Sequence, residues 1–149
     1  QVQTQAQNWY DANDSKPLPR GTETILLVED DEAVKNLGGD VLRELGYHIL
    51  ETSNGNEALH LAGEFHGKKI HALFTDMVMP GMGGEELADK LRSLRPGLRI
   101  LFTSGYTENI SIHSGNLKQG EAFLQKPYSP RALAYKIREV LDGRTGNIA

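Results

Sequence analysis

From Thr24 onward the chain alternates between short apolar runs and longer stretches in which apolar residues recur every three or four positions. "TILLV" (24–28) is apolar without interruption, the mark of a strand buried on both faces. The stretch after it places Val34, Leu37, Val41, Leu42 and Leu45 on one side of a helix. Gly38 and Gly39 interrupt that helix at a cost of about 1 kcal/mol each relative to Ala. Because Gly38 falls on the apolar stripe, close approach of the helix to a sheet is the expected compensation. The alternation then repeats. "YHILET" (47–52), "IHALFT" (70–75), "RILFTS" (99–104) and "EAFLQ" (121–125) read as strands. "NEALHLAGEF" (56–65) and "GEELADKLRSL" (84–94) read as helices, the second stopped by Arg95-Pro96-Gly97. The last helix has Ser129 to cap it, Pro130 in its first turn, and Leu133, Ile137, Val140 and Leu141 as an inner face.

Five such units predict an α/β fold, an open parallel five-stranded sheet with helices on both sides. The unit between the fourth and fifth strands departs from the rest. "YTENISIHSGNLKQGEA" carries β-branched residues, Ser111, Ser114 and a Gly115-Asn116 break, which predict a short or weak fourth helix. Residues 1–22 begin "QVQTQAQNWYDANDSKPLPR", Gln-rich and without a period, and read as a polar linker, extended or disordered. A folded domain over 23–142 and a tail over 143–149 complete the division.

Composition narrows the functional classes. A length of 149 residues suits one domain. With 16 Lys+Arg against 20 Asp+Glu the formal charge is -4, which offers no field for nucleic acid or an acidic membrane surface. The lack of cysteine removes disulfides, thiol nucleophiles and thiolate zinc sites, and suits a reducing, cytoplasmic setting. No stretch approaches the roughly 18 apolar residues of a spanning helix, so no membrane insertion is expected. The missing initiator Met points to a piece of a longer chain or to processing.

In open α/β sheets the functional crevice lies beyond the carboxyl ends of the strands. Strand one is followed by Glu29-Asp30-Asp31, strand three by Asp76, strand four by Ser104-Gly105 and strand five by Lys126-Pro127. Each has an ordinary reading: acids after a strand complement a helix dipole, and Ser-Gly is a turn signal. Four strand ends delivering complementary groups weigh more than any one alone. If strands one and three are neighbours, Glu29, Asp30 and Asp76 repel one another unless a cation neutralises them. All-oxygen ligands favour Mg²⁺, with Mn²⁺ as a substitute. Asp76 could then attack a phosphoryl group to form an acyl phosphate, with Lys126 and the Ser104 hydroxyl holding the phosphoryl oxygens. His48, His60, His66, His71 and His113 show no metal-binding spacing.

"ILLVEDDEAV", "LFTDMVMPGMGGEEL", "ILFTSGY" and "FLQKPYSP", in that order, resemble the receiver domains of two-component response regulators. The wording is most like receivers at the C-terminus of hybrid sensor histidine kinases. The resemblance implies strand order 2-1-3-4-5 and makes Asp76 the phosphoacceptor. It implies Asp30 as a direct Mg²⁺ ligand, Glu29 as a ligand mainly through water, and the Val78 backbone carbonyl as a further ligand. Ser104 takes the switch Ser/Thr place, with Thr103 as the competitor, and Lys126 contacts the phosphoryl group. Phe123 is the aromatic switch residue, and the peptide before Pro127 is expected to be cis. Tyr128 stands where Phe is commoner. Bulky Val78 and Tyr106 flank the path of an attacking water, which predicts slow hydrolysis of the acyl phosphate.

The partners implied are a histidine kinase or a histidine phosphotransfer protein, with room for a weak homodimer and no direct contact with nucleic acid. The resemblance also implies that the full-length protein is tethered to a membrane-bound sensor. Few residues follow Asp142, so output is expected through a partner rather than an appended DNA-binding domain. One rival reading is a receiver-like interaction domain that uses no phosphate. Another is a Toprim-type Mg²⁺ phosphotransfer domain, which wants an acid where Val78 stands. An FMN-binding flavodoxin-like domain would need a phosphate cradle where Glu29, Asp30 and Asp31 lie.

Overall fold

The protein is described by a computed structural model over residues 17–65, 68–105 and 117–143. Among the described residues nine elements follow one another: β1 (Thr24–Val28), α1 (Glu32–Glu44), β2 (His48–Thr52), α2 (Gly55–Glu64), β3 (Ala72–Asp76), α3 (Gly84–Leu94), β4 (Arg99–Ser104), β5 (Glu121–Gln125) and α4 (Pro130–Leu141). All neighbouring strands are parallel, in the order β2-β1-β3-β4-β5. The fold class and strand order are therefore those expected, with strand and helix limits shifted by one or two residues. The weak fourth helix expected between β4 and β5 falls on 106–116, outside the described residues.

The apolar runs are continuous because the sheet is covered on both faces. Ile25, Leu27, Ala72, Phe74 and Leu101 point to one side, where Val41 and Leu42 of α1 and Leu133 and Ile137 of α4 meet them. Leu26, Val28, Leu73, Ile100 and Phe102 point to the other, against Ala58 and Ala62 of α2 and Leu87 and Leu91 of α3. Three of the four described helices, α1, α2 and α4, have their starts set by side-chain caps. Asp31 Oδ1 accepts from the Val34 N–H at 3.1 Å, Asn54 Oδ1 from Glu57 at 2.9 Å, and Ser129 Oγ from Ala132 at 3.0 Å.

Two expectations need correction. Leu37 does not lie on the inner stripe of α1, since it is 46% exposed. Gly38, one residue on, takes the place against the sheet. A Cβ there would stand 3.0 Å from the Tyr128 hydroxyl and 3.6 Å from Phe74, so the close approach expected of Gly38 is real, and an added hydroxyl on residue 128 accompanies it. The linker assigned to 1–22 also ends earlier than expected. Leu18 is only 4% exposed and belongs to the core cluster that contains Leu45, Tyr47, Ile137 and Val140. An apolar residue between two prolines gave no period to read, yet it is buried in one cluster with Ile137 and Val140 of the last helix.

Candidate functional site

The backbone of the site is an extension of the sheet. Beyond the ends of the strands the parallel hydrogen-bond pattern continues for one more residue: Glu29 N–H donates to Thr52 O (3.2 Å), Met77 N–H to Thr103 O (2.8 Å) and Lys126 N–H to Ser104 O (2.9 Å). Val28 lies opposite Thr75 in the register, which brings Glu29 beside Asp76. The Lys126–Pro127 peptide is cis. Glu29, Asp76, Ser104 and Lys126 thus lie together at one edge, each on a main chain fixed by its neighbour.

Glu29 and Asp76 are 2% and 5% exposed. Asp76 Oδ1 accepts from the Val78 N–H (3.2 Å) and Glu29 Oε2 from the Asp31 N–H (3.1 Å). The Lys126 ammonium lies between them, donating to Asp76 Oδ2 at 2.9 Å and to Glu29 Oε1 at 3.2 Å. Burial pushes the Glu29 carboxyl up to about 7, helped by the charge of Asp76 and opposed by its bond to the Asp31 amide and by Lys126. Burial alone would pull Lys126 down, but the bond to Asp76 and the charges of both carboxylates outweigh it and hold the ammonium above its usual value. Buried like charges sharing one cation mark a site under electrostatic load.

Glu29, Asp30 and Asp76 each offer an oxygen within 4.8 Å of the others. This donor set is wholly carboxylate oxygen, with Asp30 on the solvent side, and it fits a hard divalent cation that keeps part of its water. Asp31, the third acid of the run, is not in that group: its side chain caps α1. The helix-start reading of "EDD" thus holds for Asp31, while Glu29 and Asp30 stand in the acidic group. Ser104 is fully buried at the end of β4, while Thr103 is the register partner of Asp76 and its buried hydroxyl has no bonding partner among the described residues. Phe123 is half-buried against the cluster of β1, β3, α2 and α3. The side chain of Val78 is exposed, and Tyr106 lies outside the described residues.

One residue of this site carries no side chain and escaped the sequence reading. A Cβ on Gly84, the first residue of α3, would stand 2.9 Å from Met77 Cα, and the Asp76 carbonyl would obstruct it as well. The Gly84 N–H also donates to Met77 O at 2.9 Å. The start of α3 is thereby seated on the main chain of Asp76. The Gly83-Gly84 pair after a Met-Pro-Gly turn was the available signal, since only glycine allows such contact between two backbones.

Beside Lys126 lies a shallow groove of about 330 Å³, lined by Val34, Leu37, Gly105, Lys126, Pro127 and Tyr128. This is where exposed Leu37 finds its place. Tyr128 also packs its ring on Phe74, with centroids 5.9 Å apart, and burial raises its phenol well above the usual range, with Glu29 and Asp76 adding to the shift.

Residues 25–138 match the response regulator receiver domain family. The chain is 36% identical over 122 residues to the sensor kinase CckA of Brucella abortus, a match that covers 82% of this chain and 13% of that protein. It is 32% identical to the response regulator receiver protein CpdR of the same organism, covering 78% of this chain and 95% of CpdR. Among solved structures, the receiver domain of the hybrid histidine kinase CckA superposes with a TM-score of 0.66 at 34% identity, covering 79% of this chain and 98% of that one. The matched span includes every strand end that contributes to the acidic edge, and on this ground the chain belongs to the response regulator receiver family of two-component signalling.

Proposed function

We propose that Asp76 is the phosphoacceptor of this receiver and takes its phosphoryl group from a phosphohistidine on a histidine kinase or histidine phosphotransfer protein. The observation that carries the reading is the Lys126 ammonium held between the buried carboxylates of Asp76 and Glu29, 2.9 and 3.2 Å away. One Asp76 oxygen attacks phosphorus. The P–N bond to the donor imidazole breaks, its electron pair returns to nitrogen, and that nitrogen takes up a proton. Lys126 and the Ser104 hydroxyl receive the oxygens of the transferred group as charge builds on them. Glu29, Asp30, Asp76 and the Val78 carbonyl would hold Mg²⁺, or Mn²⁺ in its place. The cation would screen the carboxylates from one another and from the incoming phosphate.

Inward movement of Ser104 on phosphorylation would open space for Phe123, and the two arrangements form the switch. The apolar groove along Val34, Leu37 and Pro127 opens beside Lys126 and supports docking of the donor's helical surface there. Among the described residues no helix is long and apolar enough to cross a membrane, and tethering to a membrane-bound sensor in the longer protein belongs to the same reading.

The deciding experiment is incubation with a small phosphodonor and Mg²⁺, followed by intact mass of the wild type and Asp76→Asn. One added phosphoryl group on the wild type and none on the variant is the expected result. Gain by both would remove Asp76 from the role. Gain by neither would favour the rival reading, an interaction domain that uses no phosphate.

A further inference from the structure

The end of the molecule opposite the acidic edge has its own cation between carboxylates. The Arg138 guanidinium, near the C-terminus of α4, donates to Glu23 Oε2 at 2.6 Å and Glu23 Oε1 at 3.3 Å. It also donates to the Arg20 carbonyl at 3.0 Å, to the Tyr47 hydroxyl at 3.2 Å, and to Asp142 at 2.9 Å. The side chains of Arg138 and Glu23 are about one-fifth exposed, so the paired bonds are largely shielded from water. Around this centre the segment before β1 is bound by its main chain and by its one large apolar side chain. The Gly21 N–H donates to Leu45 O at 3.1 Å, and Leu18 is buried in the cluster that includes Ile137 and Val140 of α4. Residues 17–23 are therefore seated on the domain rather than leading loosely into it.

The other end of α4 begins at Pro130, four residues after Lys126, behind a Ser129 cap. The helix is 12 residues long, about 18 Å at the usual rise, and its buried face of Leu133, Ala134, Ile137 and Val140 is continuous. A packed helix of this kind moves as a unit. The loop that carries Lys126 leads through Pro127 and Ser129 into the start of this helix, and the guanidinium that holds the 17–23 segment stands near its far end.

We propose that residues 17–23 are a strap latched to α4 by Arg138, and that phosphorylation of Asp76 changes the hold of this latch through the 127–129 segment that joins the Lys126 strand end to the start of α4. The coupling rests on the phosphoacceptor reading, whereas the latch itself does not. It gives the polypeptide entering the domain a contact whose strength depends on the far edge of the sheet.

Amide hydrogen exchange on the full chain tests both parts. Arg138→Ala should lower protection of the Gly21 amide by about tenfold or more, because local opening would no longer break the guanidinium bonds; unchanged protection would overturn the latch. Should that variant fail to fold by circular dichroism, Glu23→Gln removes the paired charge at constant shape and should lower the same protection. With a small phosphodonor and Mg²⁺, the wild type should show an altered exchange rate over 17–23, by about threefold or more, and Asp76→Asn should not. Intact mass on the same samples separates the outcomes. A phosphoryl group gained with no change over 17–23 would overturn the coupling alone. No group gained would overturn the coupling together with the acceptor role of Asp76.

Discussion

At each end of the sheet a cation sits between two carboxylates, Lys126 at one and Arg138 at the other, and these two clusters behave oppositely. At the carboxyl edge Lys126 faces Glu29 and Asp76, and Glu29 is pushed up to about 7 by burial. At the other end Arg138 faces Glu23 and Asp142, and the guanidinium bonds hold Glu23 below the usual carboxylate range. The difference lies in the donors and in solvent. A guanidinium presents a planar fork that satisfies two carboxylates and a carbonyl at once, whereas an ammonium is a point charge shared between buried groups that still want more. The first cluster is under-neutralised and receptive to further positive charge and to chemistry. The second is satisfied, and its work is to hold segments together.

The sharpest break of this contrast is Lys126→Ala. Losing a donor aimed at developing charge should slow phosphoryl uptake by about a hundredfold with little change in circular dichroism, as followed by a mass time course. Gly84→Ala comes next. It places a methyl group against the Asp76 and Met77 main chain, and should cost about 2–3 kcal/mol in urea unfolding. Recovery of full stability would mean that α3 can shift away from Asp76 without penalty.

The third effect is one of pH. Glu29 binds its proton more tightly in the folded protein, at about 7, than at its ordinary 4.5, so in that interval the folded state carries more protons than the unfolded one. Stability of the metal-free protein should fall by about 2 kcal/mol as pH rises from 4.5 through 7 and then level off. Glu29→Gln should flatten that slope, and an unaltered slope would assign it to other groups. The smallest effect is Arg138→Lys, which keeps the charge but loses the fork. It should cost about 1 kcal/mol by urea midpoint, with phosphoryl uptake unchanged in rate.

Much of this arrangement was legible because strands buried on both faces leave an unmistakable apolar run, and whatever follows such a run must stand at the sheet's edge. Glu29, Asp30, Asp76, Ser104 and Lys126 were all found that way. Asp31 shows the limit of proximity in sequence: it is adjacent to Asp30, but its place one residue before α1 turns it into a cap. Leu37 was misplaced because counting apolar residues at helical spacing put it on the same stripe as Gly38, and of the two neighbours it is the glycine that takes the inner position. Leu18 and Gly84 were missed for a shared reason. The first packs against residues distant in the chain, and the second acts by having no side chain, so neither leaves a local signature.

The extra ladder bonds from Glu29, Met77 and Lys126 have a consequence for how this edge can diversify. The main chain at each strand end is located by its neighbour strand and not by the side chain it bears. The scaffold therefore works like a jig, in which one reagent can be exchanged while the remaining positions keep their spacing. Lifetime of the phosphorylated state, choice of cation and response to a partner become separately adjustable on a frame that does not need to be refolded for each change.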